Sequence, residues 1–499
     1  MSRTPPGGRR TAEDTAPVTS TGAAPGTPTT PGAPTTLGTP PRGLVQVLVS
    51  TVAVVAVISS LGAPLVPLIA ETHDVPVTTA QWALTVTFLV GAVATPVLGR
   101  LGDGPHRRAV MLGALAVVVV GSTLAALPLG FGWLLAGRAL QGLGLGLAPL
   151  AMATARDALS GSRQRGAIAA LSITVVAGVG LGYPVAGLVA DLGGLHAAFW
   201  FGAAVAALAL AAGALVLPPA RSAPARAIDV PGAVLLGTAL SAGLLVLSEG
   251  GAWGWTSPRV LALAAVAVLA AASWAAWALR TPTPLVDLRL ARGRWAATAH
   301  LASLLVGLAN YLLLSSVTVF AQTPTGSGYG FGASVVTAGL VLVPFSLASV
   351  AASRSARALS DRFGPRVAVP AGAVVLAAGL GLYALTPSSI WLLGAVMAVA
   401  GVGTGAVFAL LPTLVVAAVP PGETGSAMSL NQVLRYVGFA TGSAATAAVL
   451  AATTADGAAY PSAGGYSALA LAGSGVAVLT ALVTRLLPPR RAATVSPAG

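Results

Sequence analysis

The chain contains no cysteine and no lysine, only four histidines, and few charges of either sign: 8% of its 499 residues are charged. Without cysteine there is neither a disulfide framework nor a thiolate metal site, and four scattered histidines make poor material for a metal centre. Without lysine the nucleotide-binding pattern G-x-x-x-x-G-K-[S/T] is impossible. The Ser, His and Asp residues are dispersed and gather into no shared catalytic constellation, so neither an enzyme nor a bound cofactor is expected. The 26 basic residues are all Arg and outnumber the 13 acids, for a formal charge of +13. In a water-soluble protein that balance would suggest nucleic acid. Here the placement of the Arg residues explains it, and no nucleic-acid partner is expected.

What is abundant is apolar surface: 56% of the residues are hydrophobic and the mean hydropathy is +0.86. Runs long enough to cross a hydrocarbon layer of about 30 Å recur along nearly the whole chain. Lipid offers no hydrogen-bond partners, so such runs must be helical or belong to closed barrels. Barrel strands would alternate polar and apolar residues, and these do not.

Fourteen spans are predicted, at about 44–70, 80–100, 108–128, 132–153, 165–190, 196–217, 231–248, 259–279, 296–320, 334–353, 367–386, 390–415, 424–452 and 466–487. The seventh is short and Gly-rich. Residues 1–42, rich in Pro, Thr, Gly and Ala, read as a disordered cytoplasmic tail. The first apolar stretch is too long for a signal-peptide core and is expected to stay as a membrane helix. With an inside N-terminus, Arg100, Arg107, Arg108, Arg156, Arg163, Arg165, Arg221, Arg226, Arg280, Arg289, Arg292, Arg294, Arg354, Arg357, Arg362 and Arg366 fall on one side, and Arg259 falls outside. That asymmetry predicts a multi-pass plasma-membrane protein with both termini cytoplasmic.

The segment GRLGDGPHRR (99–108) has a degenerate copy, RALSDRFGPR (357–366), in which Leu101, Asp103 and Arg108 recur as Leu359, Asp361 and Arg366. The copies follow spans 2 and 10, so spans 1–6 match spans 9–14 and spans 7 and 8 are an insertion. The predicted organisation is a cytoplasmic tail (1–42), an N-terminal six-helix bundle (43–217), a linker with inserted helices 7 and 8 (218–294), a C-terminal six-helix bundle (295–490) and a second tail (491–499). Repeated bundles in a membrane are the sequence form of a secondary transporter.

Over about residues 43–490 the chain resembles the major facilitator superfamily, specifically its fourteen-helix drug:proton antiporters. The resemblance rests first on the family's loop pattern G-x-L-x-D-R-x-G-R-R. The first copy keeps Gly99, Leu101, Asp103, Arg107 and Arg108, with Gly104 and His106 as departures; the second keeps Arg362 and Gly364 and replaces the first Gly by Arg357. Span 4 carries the family's R-x-x-Q-G as Arg138, Gln141 and Gly142, on one helix face. An Arg inside an apolar span is costly. It faces a polar cavity, as the family's coupling role for this Arg implies, or is a structural Arg satisfied by neighbouring carbonyls. Span 5 contains GVGLGYPVAG, with Gly178, Gly182, Pro184 and Gly187, and resembles the exporters' G-P-x-x-G-G motif, Tyr183 standing where a Gly precedes the Pro. Span 13 carries Asn431, Gln432 and Arg435 in the family's Asn-x-x-x-Arg-x-x-Gly pattern, expected as a polar patch facing the cavity opposite the Gly-rich face of span 5; a snorkelling Arg435 is the alternative.

One departure is functional. The D-x-T-x-x-N-V-A-x-P pattern of the first helix in this family has its Asp replaced by Ile58 and its Asn by Ala63, aligned on Pro67. No other acid is expected near mid-membrane, and His300 is the titratable substitute, against a plain structural role. Further cavity candidates are Trp82, Thr85, Phe88, Asn310, Tyr311 and Gln322, with interfacial belts as the competing role for Trp and Tyr. Trp253, Trp255, Trp274 and Trp277 read as belt residues.

The resemblance implies an all-α major facilitator fold and a monomer in membrane lipid that exports hydrophobic or amphiphilic small molecules by alternating access in exchange for protons. Facilitated or inward transport of a metabolite, or a receptor or scaffold role, are the alternatives. The resemblance also implies that Asp103 latches the start of span 13 near Gly425 and Ser426, and pseudo-symmetry puts Asp361 near Arg165 and Gly166. The alternative is that each Asp pairs with Arg of its own loop.

Overall fold

A computed structural model describes residues 43–102, 105–219, 228–291, 293–385, 387–419, 424–455, 458 and 460–485. Among the described residues the regular structure is helical throughout. Thirteen apolar stretches among the described residues are long enough to cross a membrane. One of them continues a 56-residue helix, Gly161–Val216, that is broken at Gly194, where φ is 76° and ψ −176°. That backbone is open to glycine and strained for other residues. Counting both sides of the break gives the fourteen spans that the hydropathy predicts. We number them α1 (Leu44–His73), α2 (Val77–Gly102), α3 (Arg107–Ala126), α4 (Phe131–Ala158), α5 (161–193), α6 (195–216), α7 (Val230–Trp253), α8 (Pro258–Arg280), α9 (Arg294–Gln322), α10 (Val335–Phe363), α11 (Pro365–Ala384), α12 (Ile390–Ala418), α13 (Thr424–Ala452) and α14 (Ala463–Arg485). The Gly-rich seventh span is a full helix, longer at both ends than its apolar run suggests.

The packing repeats with the period of the sequence. In the first bundle α1 lies on α5, α2 on α4, and α3 on α4 and α6; in the second α9 lies on α13, α10 on α12, and α11 on α12 and α14. Every one of these pairs maps onto its counterpart by a shift of eight helices. The bundles meet along two crossings that map onto one another in the same way, α2 with α13 and α5 with α10. Helix α7 packs on α13, α2 and α8, so the inserted pair sits beside one of these two crossings only. An even number of crossings puts the start of α1 and the end of α14 on one face, here the terminal face; the loops α1–α2 and α9–α10 lie on the far face.

The helix starts are capped according to their setting. Ser257, Ser334 and Ser389 cap α8, α10 and α12 on the far face through their hydroxyls. On the terminal face Asp229 caps α7: its carboxylate accepts from the backbone N–H of Gly232 (2.9 Å), the indole of Trp277 in α8 (2.8 Å) and the backbone N–H of Leu285 (2.9 Å). Trp277, expected as a belt residue, is thus a structural donor. Burial pushes the Asp229 carboxyl up, but the two backbone donors, the indole and the nearby charge of Arg100 outweigh it and hold the pKa below the usual carboxylate range. A depressed folded-state pKa contributes stability that is present above the unfolded value, about 3.9, and is lost as pH falls through the folded value. Asp229→Ala should therefore destabilise the detergent-solubilised protein at pH 7 by about 1–3 kcal/mol. In thermal unfolding the gap to the parent should narrow below about pH 4; a gap of equal size at both pH values would contradict the assignment.

Candidate functional site

Arg138 is held inside the first bundle. It is 1% exposed. Its guanidinium donates to the carbonyls of Ala83 in α2 (3.0 Å) and Ile58 in α1 (3.2 Å) and to the amide oxygen of Gln141 (2.6 Å). Gln141 in turn donates to Ser122 of α3 (2.9 Å), and Thr87 of α2 donates to the Arg138 carbonyl (3.2 Å). The R-x-x-Q-G motif thus ties α1, α2, α3 and α4 together. The expected cavity-facing Arg138 is corrected for this conformation: in a low-dielectric interior the cation takes the strongest acceptors in reach, which are the Ile58 carbonyl where α1 is interrupted near Gly62, the Ala83 carbonyl of α2 and the Gln141 amide oxygen.

The centre of the molecule is aromatic. Phe88 of α2 meets Tyr311 of α9 edge-on, with ring centroids 4.5 Å apart, and Phe439 of α13 at 5.3 Å; Tyr311 and Phe439 lie 4.7 Å apart. Tyr436 stacks on Phe88 at 6.2 Å and its hydroxyl reaches the Leu145 carbonyl of α4 (3.4 Å). Phe88 and Tyr311 were legible as candidates; Tyr436 and Phe439 were missed, although they follow Arg435 closely in the sequence. Arg435 lies over the ring of Phe408 of α12, 5.3 Å from its centroid, and donates to Gln432. Its Nε is buried without a partner. Gln432 and Arg435 thus form a polar pair beside the aromatic cluster. Asn431 turns to α9, donating to Ser303 (2.6 Å), and Asn310 accepts from Thr404 of α12 (3.3 Å). Gly182 and Gly187 of α5 face helices other than the one that carries this patch. Gly182 abuts Ser60 of α1, and Gly187 abuts the Val335 backbone of α10, where an added Cβ would sit 2.8 Å from a carbonyl oxygen. Gly339 of α10 returns the contact against the Tyr183 carbonyl. Gly182 and Gly187 therefore serve helix crossings.

On the far-face side of this centre a polar cluster joins the bundles. Gln81, fully buried, accepts from Ser315 of α9 (2.7 Å) and Ser443 of α13 (3.5 Å), while Thr85 donates to Ser443 (3.1 Å). Gln322 donates to the Pro64 carbonyl (2.9 Å). Among the described residues, the hydrogen bonds between bundles lie from mid-membrane to the far face, so this conformation is closed there. Trp82, one residue from Gln81, is corrected from a cavity residue to a lateral one: its indole donates to Glu249 of α7 (3.1 Å).

The two loop motifs differ in ways their sequences explain. Gly364, between α10 and α11, has φ 82°; its counterpart His106 has φ −105°. A non-glycine residue avoids the left-handed region, so the first loop takes another path. Arg107 pairs with Asp157 and donates to the Gly102 carbonyl, and Arg108 donates to the Ala214 carbonyl. Gly99 and Leu101 complete the end of α2. In the second copy Leu359 packs on the core, Arg362 lies over Phe363, Arg366 reaches the Arg485 carbonyl and Asp361 is exposed. Asp103 lies outside the described residues, as do the surroundings of Gly178, Arg165, Gly425 and Ser426.

Two membrane bundles related by an eight-helix repeat, meeting around a shared aromatic centre and closed at one face, define a secondary transporter and not an enzyme. The chain belongs to the Major Facilitator Superfamily, whose sequence profile matches residues 48–443. It is 28% identical over 387 residues to a multidrug resistance protein B homolog of Mycobacterium tuberculosis, covering 74% of this chain and 68% of that one. It is 28% identical over 416 residues to the tetracenomycin C resistance and export protein of Streptomyces glaucescens (81% and 75% covered). Over 390 residues it is 28% identical to the methylenomycin A resistance protein of Streptomyces coelicolor (77% and 81%). Among solved structures, a peptide transporter POT in complex with sulfate superposes with a TM-score of 0.65 at 16% identity, covering 89% of this chain and 94% of that one.

The placement of Arg138 yields a test. Arg138→Ala takes the guanidinium donor from the Ile58 carbonyl and the Gln141 amide oxygen, about 1–3 kcal/mol each, while the Ala83 carbonyl keeps the Thr87 hydroxyl. A structural anchor predicts that thermal stability in detergent and transport fall together. Lost transport at unchanged stability would instead return Arg138 to a coupling role.

Proposed function

We propose that this transporter exports hydrophobic or amphiphilic small molecules across the plasma membrane by alternating access in exchange for protons, with both termini cytoplasmic. The observation that carries the reading is the aromatic centre formed by Phe88, Tyr311, Tyr436 and Phe439. Both bundles contribute rings, so a guest bound there changes its contacts whenever the bundles rock. Ring faces suit bulky, partly apolar guests, and the Gln432–Arg435 pair beside them offers a polar anchor. The antibiotic resistance and export names of the relatives agree in substrate class. The one-sided Arg distribution supports a cytoplasmic terminal face, and with it the far-face closure favours the inward-facing arrangement.

His300 is the side chain we assign to proton uptake. It is 2% exposed in α9 and neither ring nitrogen has a hydrogen-bond partner. The loop carboxylates Asp103 and Asp361 act as terminal-face latches in the opposite arrangement. The replacement of the first-helix acid by Ile58 favours a second reading, facilitated transport without proton coupling. Inside-out vesicles given a fluorescent amphiphilic drug in the medium and a lumen-acid proton gradient separate the two: export with proton coupling predicts uptake that a protonophore abolishes, and a facilitator predicts equilibration that the protonophore leaves unchanged. No difference from empty vesicles would overturn both for that drug.

The Gln81 cluster should control far-face opening. Gln81→Ala removes the acceptor of two buried hydroxyls, at about 1 kcal/mol each. The open-to-closed ratio at the far face should rise about tenfold or more. Spin labels on cysteines introduced at Val75 and Ser327, in a chain with no native cysteine, read the distance; unchanged populations would refute the role.

A further inference from the structure

Helix α7 is fastened to α2 at both ends and stands off from it in between. Toward the far face the fastening is the Trp82–Glu249 hydrogen bond (3.1 Å). At the terminal face the chain after α8 bridges the two helices: Arg100 at the end of α2 donates to the Pro284 carbonyl, and the next residue, Leu285, donates its N–H to Asp229 at the start of α7 (2.9 Å). Between these fastenings lies a cavity of about 370 Å³, open to one side. Its walls include Leu89, Val93 and Val97 of α2, Leu143 of α4, and Gly237 and Ser241 of α7.

Protein interiors are close-packed, and an apolar wall offers water few hydrogen-bond partners, so a gap of this kind favours an apolar occupant. The gap is also not forced by the backbones. A Cβ added at Gly237 would meet only a Val93 methyl, at 3.8 Å, an ordinary contact, so glycine here leaves space that a larger side chain could fill. The α2 wall runs from Leu89 to Leu98, about 14 Å at a helical rise of 1.5 Å per residue. That is roughly half of a 30 Å hydrocarbon layer, the depth of one leaflet. The α2 wall ends at Leu98, two residues before Arg100, whose acceptor Pro284 belongs to a segment of basic sequence: residues 280–294 carry Arg280, Arg289, Arg292 and Arg294 against the single acid Asp287. Arg289 is spent on Asp287, in hydrogen bonds of 2.8 and 3.0 Å, whereas Arg280 and Arg294 are exposed.

We propose that the groove between α2, α4 and α7 is a binding site for one acyl chain of an anionic glycerophospholipid of the terminal-face leaflet, with the headgroup against the basic segment. Leaflet-length depth, an aliphatic wall and positive charge at the mouth match the two ends of that ligand. The chain fills the space that would otherwise leave α7 poorly packed on the first bundle, so the inserted pair moves with α2. The site is independent of what the protein transports and in which direction.

The test uses the full chain in lipid nanodiscs containing a trace of phosphatidylglycerol with a photoactivatable group midway along one acyl chain. After irradiation, digestion and mass spectrometry, cross-links are expected on the peptides that contain residues 89–98 and 237–241. The double variant Gly237→Leu/Ser241→Leu fills the groove and should lower those cross-links about tenfold, while labelling elsewhere on the chain and the thermal midpoint are retained. Arg280→Gln with Arg294→Gln should reduce the advantage of phosphatidylglycerol over a phosphatidylcholine probe bearing the same chain. Absence of cross-links at these peptides, or equal cross-linking in the filled variant, overturns the site. Equal labelling by the two probes in the parent overturns the headgroup assignment, and displacement of the label by a transported drug overturns the lipid as occupant.

Discussion

Hydrocarbon offers no hydrogen bonds, so each polar group that enters the membrane must bring or find its partner inside the protein. Much of the architecture follows from that constraint. It makes the chain helical, sends Arg to the loops, and decides what happens where the helices are interrupted. The break in α1 around Gly62 frees the Ile58 carbonyl, and Arg138, the most costly side chain to bury, donates to it and to the Ala83 carbonyl of α2. An interrupted helix and a buried cation, each unfavourable alone, satisfy one another and fix the relative positions of α1, α2 and α4.

The same constraint shapes the contact between bundles. On the far-face side the interface is hydrogen-bonded through Gln81, Thr85, Ser315 and Ser443, and sealed by the close Gly187–Gly339 crossing of α5 and α10. Hydroxyls and an amide bind strongly enough to close the face. They carry no net charge, so they separate without exposing an ion to lipid. The aromatic centre lies where this polar seal ends. Rings from α2, α9 and α13 meet there by van der Waals and quadrupole contact, which is less directional than a hydrogen bond and tolerates rearrangement.

The inserted helices break the pseudo-symmetry of the molecule. Of the two equivalent crossings, α5–α10 is closed by its own glycines, and α2–α13 has α7 packed along it. The Asp229 cap, with Trp277 and Leu285 as its other donors, joins the start of α7 to the end of α8 and the chain beyond. The insertion is thereby attached to the same end of α2 that carries the repeated loop motif.

The residue order by itself determined the class, the spans, the eight-helix repeat, the insertion and the family, because each depends on composition or spacing along the chain: lengths set by the bilayer, Arg on one side, a motif twice. It also named Phe88 and Tyr311, and Arg138 with Gln141. Tertiary structure alone decided which way these residues face. In a water-soluble helix, polarity separates the core side from the solvent side; lipid is as apolar as a protein core, so a membrane helix gives no such sign. Gln81 and Trp82 are neighbours and both polar-tipped, yet one joins the bundles and the other holds the inserted helix. Gly182 and Gly187 of α5 looked like part of a surface facing span 13 and lie at crossings with α1 and α10. Tyr436 and Phe439 read as ordinary apolar positions of α13 until helices more than a hundred residues away in sequence bring Phe88 and Tyr311 against them, because only the packing of distant helices selects the rings that meet.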